Sequence, residues 1–295
     1  MSLTYKMVEK SCFLLNRLAR NCIKKRMYHS FEKSNQSNEL PKFMYRKFAI
    51  NKIEYLDFPV YIVRSRNKEK RNRKAILFLA GGGGLARPMW IHFDTAAKLV
   101  QKTGATVYFA YYPLAPKHNV GEALEWLEGV YKAMLKRYLP KDIVLIGDSA
   151  GANLALSLIH RVKEKPRKVI VISPAVGLEN GRNREIRKQM EDKDPLLSVA
   201  MNDLIARTWS RNVPSDSPDI NVESIDYHEF SQILLLYGTH ELFYPHVKRF
   251  VEKLKKDGAV LEVVEEKMCH DWALCSFFPE GRNAMKKMTK FIAKE

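Results

Sequence analysis

From about residue 46 the chain alternates between two hydrophobic rhythms. Short, nearly unbroken apolar runs at 48–53, 58–63, 75–79, 106–111, 143–146, 169–173, 233–237 and 260–265 predict strands, and the later runs are continuous enough for burial on both faces. Between many of them, stretches 91–102, 121–137, 150–162, 245–256 and 281–293 repeat apolar positions at helical spacing. Strands alternating with helices predict an α/β fold with a mainly parallel central sheet of about eight strands and helices on both faces. The first two runs follow each other without a helix, which predicts an antiparallel start. No strand pattern stands between Ser173 and Ile233; that stretch reads as an insertion with a helix near 198–209.

The N-terminal segment has its own pattern. Leu3, Met7, Leu14, Leu18, Cys22 and Ile23 recur at roughly helical spacing with basic residues between them, and the polar stretch 32–39 has loop composition. This predicts a helix lying over something apolar, either the rest of the protein or a membrane surface. Charge sharpens the contrast. Of a net +17, residues 1–75 hold 19 Lys and Arg against 6 Asp and Glu, and the remaining residues hold 31 against 27. The basic bias can draw the N-terminal quarter to anionic surfaces. The basic run 64–74 lacks interleaved aromatics, so no nucleic-acid partner is expected.

Length and composition set the remaining bounds. The 295 residues, 46% hydrophobic and 28% charged, suit one large α/β domain with a small appendage. No apolar run is long enough to predict a transmembrane helix, and the first residues lack the apolar core and cleavage site of a secretory signal. Cys12, Cys22, Cys269 and Cys275 form no C-x-x-C pair and no metal-ligand spacing. They read as free thiols in a reducing compartment, which predicts a cytoplasmic location and no metal.

The chemistry concentrates at Gly147-Asp148-Ser149-Ala150-Gly151, with the apolar run 143–146 before it and a helical pattern after it. G-x-S-x-G alone is common; between a strand and a helix it is a nucleophile elbow, a tight turn that pushes the serine hydroxyl outward. Gly147 and Gly151 leave room for the turn, and the helix N-terminus favours developing negative charge. A second loop, Ala80-Gly81-Gly82-Gly83-Gly84, follows the strand 75–79. Four glycines in a row cost chain entropy and make sense where backbone must approach a ligand. The backbone N–H groups of Gly82, Gly83 and Ala150 are the candidate oxyanion donors. No Gly-Lys-Ser/Thr follows, so a phosphate cradle is not expected.

After such a serine, the acid and the histidine follow in chain order. His270 comes after the run 260–265 and is the candidate general base; His228, His240 and His246 lie too early, and His118 and His160 read as structural. Glu241, in Gly238-Thr239-His240-Glu241 after the run 233–237, is the candidate acid that orients His270. Glu266 and Asp271 compete; Asp271, next to His270, has difficulty reaching its Nδ1. Asp148 is expected to hold neighbouring loops. A neutral His270 is required, which predicts activity rising through about pH 6.5–7.

With these residues in place, the chain from about Ala75 to its end resembles the hormone-sensitive-lipase-like branch of the α/β-hydrolases. The resemblance rests on Gly81-Gly82-Gly83, Tyr112-Pro113-Leu114-Ala115-Pro116, Gly147-Asp148-Ser149-Ala150-Gly151, Ile172-Ser173-Pro174, Asp194-Pro195-Leu196-Leu197-Ser198, Gly238-Thr239-His240-Glu241 and His270. It implies an α/β-hydrolase fold with a small helical cap, made here from an N-terminal segment (1–45) and an insertion (about 179–213) on a catalytic domain (46–295). It also implies a serine esterase without metal or organic cofactor, acting on small-molecule esters. Ala80 stands where the family usually has His; because backbone groups hold the oxyanion this need not abolish catalysis, and it bears on how the glycine loop is anchored. Gly84 stands where an aromatic often follows, which predicts a more open pocket. Three other readings stay open: a membrane-surface lipase, an amidase or peptidase, and a non-catalytic ligand-binding protein on the same fold.

Overall fold

The computed structural model describes residues 1–19, 38–177, 181–228, 230 and 232–294. Eight strands form one sheet: β1 (Phe48–Tyr55), β2 (Phe58–Ser65), β3 (Ala75–Leu79), β4 (Thr106–Ala110), β5 (Ile143–Asp148), β6 (Lys168–Ile172), β7 (Gln232–Gly238) and β8 (Leu261–Glu266), in the spatial order β1-β2-β4-β3-β5-β6-β7-β8. β2 runs antiparallel to β1 and β4, and every other neighbouring pair is parallel. Leu56 and Asp57, with φ of 45° and 65°, close the β1–β2 hairpin, the left-handed pair of a two-residue turn that suits the strand twist.

The described helices are α1 (Leu3–Ala19), α2 (Lys42–Lys47), α3 (Trp90–Thr103), α4 (Val120–Leu135), α5 (Ala150–Arg161), α6 (Gly181–Lys188), α7 (Val199–Trp209), α8 (Tyr244–Lys256) and α9 (Pro279–Ala293). Strand residues alternate between two cores. Leu77 and Leu79 of β3 face α4, α5 and α8, whereas Ile76 and Phe78 face α3 and α9. β3, β4, β5 and β6 are buried along their whole length, which is why they read as unbroken apolar runs. β8, at the sheet edge, is half exposed.

Strands and long helices fall within a few residues of the pattern. α2 and α6 were not legible, because Lys-Phe-Met-Tyr-Arg-Lys is too short for a period and Gly-Arg-Asn-Arg-Glu-Ile-Arg-Lys has almost no apolar face. The N-terminal stripe needs correcting. Leu3 and Met7 point outward, 75% and 66% exposed, and Tyr5 is the residue that packs inward, edge-on to Phe278 at 5.3 Å. Tyr5 wins because its ring buries a large area while its hydroxyl donates to Glu9 at 2.8 Å. Leu14 and Leu18 lie on α1, but their side chains, like Cys22 and Ile23, lie outside the described residues. Among the described residues no helix is long and apolar enough to cross a membrane.

The elbow is packed to backbone contact. A Cβ on Gly151 would stand 2.0 Å from the Leu79 carbonyl oxygen, and one on Gly147 would stand 2.1 Å from that of Gly151. Both obstacles are backbone, so neither can move aside cheaply. Gly151→Ala should therefore destabilise the fold by about 1–3 kcal/mol, read as a lower denaturant midpoint at unchanged slope; an unchanged midpoint would show that the elbow tolerates a methyl group.

Candidate active site

The end of β5 and the start of α5 put Ser149 on a turn with φ 50° and ψ −119°, a strained conformation for a residue with a side chain. Backbone bonds hold it there. Ser149 N–H donates to the Ile172 carbonyl at 2.9 Å, and Ala152 N–H donates back to the Ser149 carbonyl at 3.1 Å. His270, in the loop after β8, brings Nε2 to 2.9 Å from Ser149 Oγ. Its other nitrogen, Nδ1, stands 3.4 Å from Glu241 Oε2. Ser149, Glu241 and His270 are all buried. The three side chains expected to act together are therefore adjacent in the expected order.

Glu241 is itself held in place. Its Oε1 accepts from the Gly238 N–H and from Ser173 Oγ, both at 2.6 Å. Ser173 Oγ in turn accepts from the Asp271 N–H at 3.0 Å. Asp194 secures the adjoining loop: Oδ1 accepts from Leu196 and Leu197 N–H at 2.8 Å, and Oδ2 accepts from Leu242 N–H at 2.7 Å. Burial pushes the Asp194 carboxyl up to about 6, against the pull of His270 and those N–H donors. The roles of Ser173 and Asp194 were not read from the sequence, although both sit in motifs that carried the family resemblance.

Asp148 holds loops, as expected. Its Oδ2 accepts from Gly81 N–H and meets His92 Nε2, each at 3.0 Å. Met89 N–H donates to His92 Nδ1 at 2.8 Å, so the His92 hydrogen sits on Nε2 and points at Asp148. His92 was missed because its partner is 56 positions away and nothing in its helix marks it.

Gly82, Gly83 and Gly84 all take positive φ, at 120°, 65° and 68°, which explains the glycine run. The anchor that replaces a histidine at position 80 is Tyr112, whose hydroxyl donates to the Ala80 carbonyl at 2.6 Å, and Ala115 N–H donates to Gly84 O at 2.8 Å. Gly82, Gly83, Ala150, Ser149 and His270 line one cavity of about 310 Å³. The more open pocket expected from Gly84 is not what forms. A Cβ on Gly84 would stand 2.2 Å from the Trp209 indole, and Trp209, at the end of α7, lines the cavity. An aromatic from the insertion fills the space that an aromatic in the loop would have taken.

Asp271 does not approach Nδ1, as expected. Its Oδ2 stands instead 3.3 Å from His270 Nε2, the nitrogen that faces Ser149. Burial pushes the His270 imidazolium down; the Asp271 carboxylate, then Glu241, outweigh it, and the net direction is up. Burial pushes Asp271 up as well, with His270 pulling the other way.

With this geometry in view, the chain can be compared with known proteins. Residues 76–274 match the model of a family described as alpha/beta hydrolase fold, and the chain belongs to that family. An esterase of Acinetobacter venetianus is 29% identical over 224 residues, 73% of each chain. Esterase LipU of Mycobacterium tuberculosis is 26% identical over 238 residues, covering 75% of this chain and 77% of that one. In fold the chain is similar to the crystal structure of the HSL-homolog EstE7 from a metagenome library, with a TM-score of 0.78, 19% identity and 96% and 97% of the two chains covered. It is also similar to an esterase from the bacterial hormone-sensitive lipase family, with a TM-score of 0.75, 21% identity and 90% and 89% covered. The resemblance read from the motifs is met.

The raised His270 corrects the sequence-based pH expectation. A base must be neutral to accept a proton, and an imidazole held above its ordinary 6.5 stays charged to higher pH. The rising limb of a kcat/KM profile should therefore have its midpoint above pH 6.5, and Asp271→Asn, which removes the nearest carboxylate charge, should move it down. A midpoint that stays put in the variant would remove Asp271 as the cause.

Proposed function

We propose that the chain is a serine carboxylesterase that cleaves small to medium acyl esters through an acyl-enzyme on Ser149. The observation that carries this is the 2.9 Å approach of His270 Nε2 to Ser149 Oγ at the wall of a mostly apolar cavity. Ser149 Oγ attacks the ester carbonyl while Nε2 takes its proton. Negative charge develops on the carbonyl oxygen, and the N–H groups of Gly82, Gly83 and Ala150 receive it. Collapse expels the alcohol, which takes the proton back from Nε2. Water then repeats the cycle on the acyl-enzyme. Glu241 keeps the imidazole oriented and offsets its charge. The steps use protein groups and water, with no metal or organic cofactor.

A cavity of about 310 Å³ is at the lower end for ligand pockets, about 300–1,000 Å³, which favours short and medium acyl groups. The cap belongs to the same reading: the described parts of the N-terminal segment (1–45) and of the insertion (about 179–213) would cover the catalytic domain (46–295). Trp209 over Gly84 and the 2.7 Å contact of Glu9 with His240, the neighbour of Glu241, support it. The esterase names carried by the Acinetobacter and Mycobacterium relatives favour a hydrolase over a binding protein. A cytoplasmic location remains part of the proposal, supported by free thiols at Cys12, Cys269 and Cys275.

One observation favours membrane contact as a second reading. On the outer face of α1, exposed Leu3 and Met7 are interleaved with exposed Lys6 and Lys10, a pattern suited to an anionic lipid surface. Replacing Leu3 and Met7 by Glu should lower co-sedimentation with phosphatidylserine-containing vesicles several-fold; equal sedimentation of wild type and variant would dismiss the reading.

The primary test is hydrolysis of p-nitrophenyl esters from acetyl to palmitoyl. Wild type should be fastest with short and medium chains, and Ser149→Ala should lose a factor of about 10³ or more. An inert wild type whose Ser149 is still labelled by a fluorophosphonate would put the substrate class elsewhere. Failure of both reactions would favour a binding protein.

A further inference from the structure

The geometry points to Asp271 as a substrate-recognising residue: we propose that the enzyme prefers esters whose alcohol part carries a second hydrogen-bond donor, a hydroxyl or an ammonium, close to the ester oxygen. The inference rests on the ester-hydrolase reading and specifies its leaving-group side.

Four observations carry it. Asp271 lines the catalytic cavity, whose wall is otherwise largely apolar. Its Oδ2 stands 3.3 Å from His270 Nε2. Its Oδ1 is buried and meets no hydrogen-bond donor among the described residues. Its backbone is fixed: φ is 57°, a left-handed conformation that Asp tolerates better than most residues, and its N–H is tied to Ser173 Oγ at 3.0 Å. A buried carboxylate oxygen left without a partner is costly; the Asp271 side chain is 17% exposed and borders the cavity, so a rotation of its carboxylate would offer that oxygen to a donor in the cavity.

The position of the partner follows from the reaction. When the tetrahedral intermediate collapses, the leaving alcohol oxygen takes its proton from Nε2, so it must lie within hydrogen-bond reach of that nitrogen. Asp271 Oδ2 lies at the same nitrogen. A donor one or two carbons from the ester oxygen therefore falls within reach of the Asp271 carboxylate, as in a polyol monoester or an amino-alcohol ester. A simple alkyl alcohol leaves the carboxylate unpartnered, and an alcohol bearing its own carboxylate is repelled.

Such a donor would also help the base. A neutral His270 donating through Nδ1 to Glu241 presents its Nε2 lone pair to Ser149 and also to Asp271 Oδ2. Two lone pairs at that separation repel unless a proton lies between them. A proton held there occupies Nε2. A substrate hydroxyl or ammonium that donates to Asp271 takes its place, that proton passes to solvent, and Nε2 is free for the Ser149 proton. The other ionisable groups acting on Asp271 are His92, Asp148 and Glu241. Neither His92 nor Asp148 nor Glu241 lines the cavity, whereas Asp271 does, so Asp271 is the member of the set placed to meet substrate.

The test compares two esters of matched size, glycerol 1-monobutyrate and its isostere 2-methylbutyl butyrate, in which methyl groups replace the two hydroxyls, so that only the first has an alcohol part that can donate. Wild type should favour the hydroxyl ester in kcat/KM by about tenfold or more, as expected for a hydrogen bond to a charged group. Asp271→Gly, which keeps the left-handed backbone at no steric cost, should bring the ratio to near one, and Asp271→Asn should give an intermediate ratio. Because each value is a ratio within one protein, a general loss of activity cancels. A wild-type ratio within twofold of one overturns the proposal, and so does a wild-type preference that persists in Asp271→Gly. Hydrolysis of p-nitrophenyl butyrate by wild type is run alongside: activity there with no donor preference overturns this inference alone, whereas inactivity on every ester overturns the ester-hydrolase reading and this inference with it.

Discussion

The turn at Ser149 is the constraint around which the rest is arranged. A serine at φ 50° costs on the order of 1–3 kcal/mol relative to a relaxed residue, and it persists because its neighbours leave no alternative. Its N–H is committed to β6 and its carbonyl to the first turn of α5. The glycines on either side let β3, β5 and α5 approach to backbone contact. One residue before the serine, Asp148 points the other way and ties down the glycine loop through Gly81 and the start of α3 through His92. One turn of chain thus positions the candidate nucleophile and the glycine loop proposed to receive the oxyanion. Their relative placement depends on packed backbone rather than on flexible side chains.

The same economy appears around Glu241. A glutamate has one more rotatable bond than an aspartate and needs more restraint to hold a carboxylate steady. Gly238 N–H and Ser173 Oγ fix one oxygen and leave the other for His270, while Asp194 fixes the next peptide through Leu242 N–H. Asp194 also caps the turn that leads into α7 through Leu196 and Leu197. The acid loop and the start of the cap helix are therefore joined through one buried carboxylate, and a shift in α7 would be felt at the acid.

Much of this was legible in the chain, and the division follows the physics of each signal. The central strands are buried on both faces, so their apolar runs mark them directly. Ser149, Glu241 and His270 could be found because each follows a strand in a fixed chain order, and Ser149 stands between two glycines that the close packing of the turn requires. His92, Ser173 and Asp194 act through long-range hydrogen bonds, and a pairing across 56 or 68 positions leaves no local period. Tyr5 replaced Leu3 and Met7 as the inward residue of α1 because periodicity reports a stripe without saying which side of it meets the protein. Asp271 was weighed only as a rival for Nδ1, because sequence adjacency says nothing about which face of an imidazole a neighbour approaches.

The cavity shows how one fold can change its substrate pocket without touching its catalytic residues. Position 84 lacks an aromatic side chain, and the space above it is taken by Trp209 from α7. The wall moves from the rigid body of the protein to the insertion. A wall carried by the glycine loop is fixed by the same contacts that fix the oxyanion donors, so it cannot be altered without disturbing them. A wall carried by α7 can shift with the insertion while the donors stay still. Gly83 limits that independence: a Cβ there would stand 2.6 Å from the Ile205 side chain, so loop and helix are already in contact. The candidate catalytic groups and the pocket wall are therefore held by different parts of the chain that meet at Asp194, Gly83 and Gly84, so a change in the insertion reshapes the pocket first and reaches the reacting atoms only through those contacts.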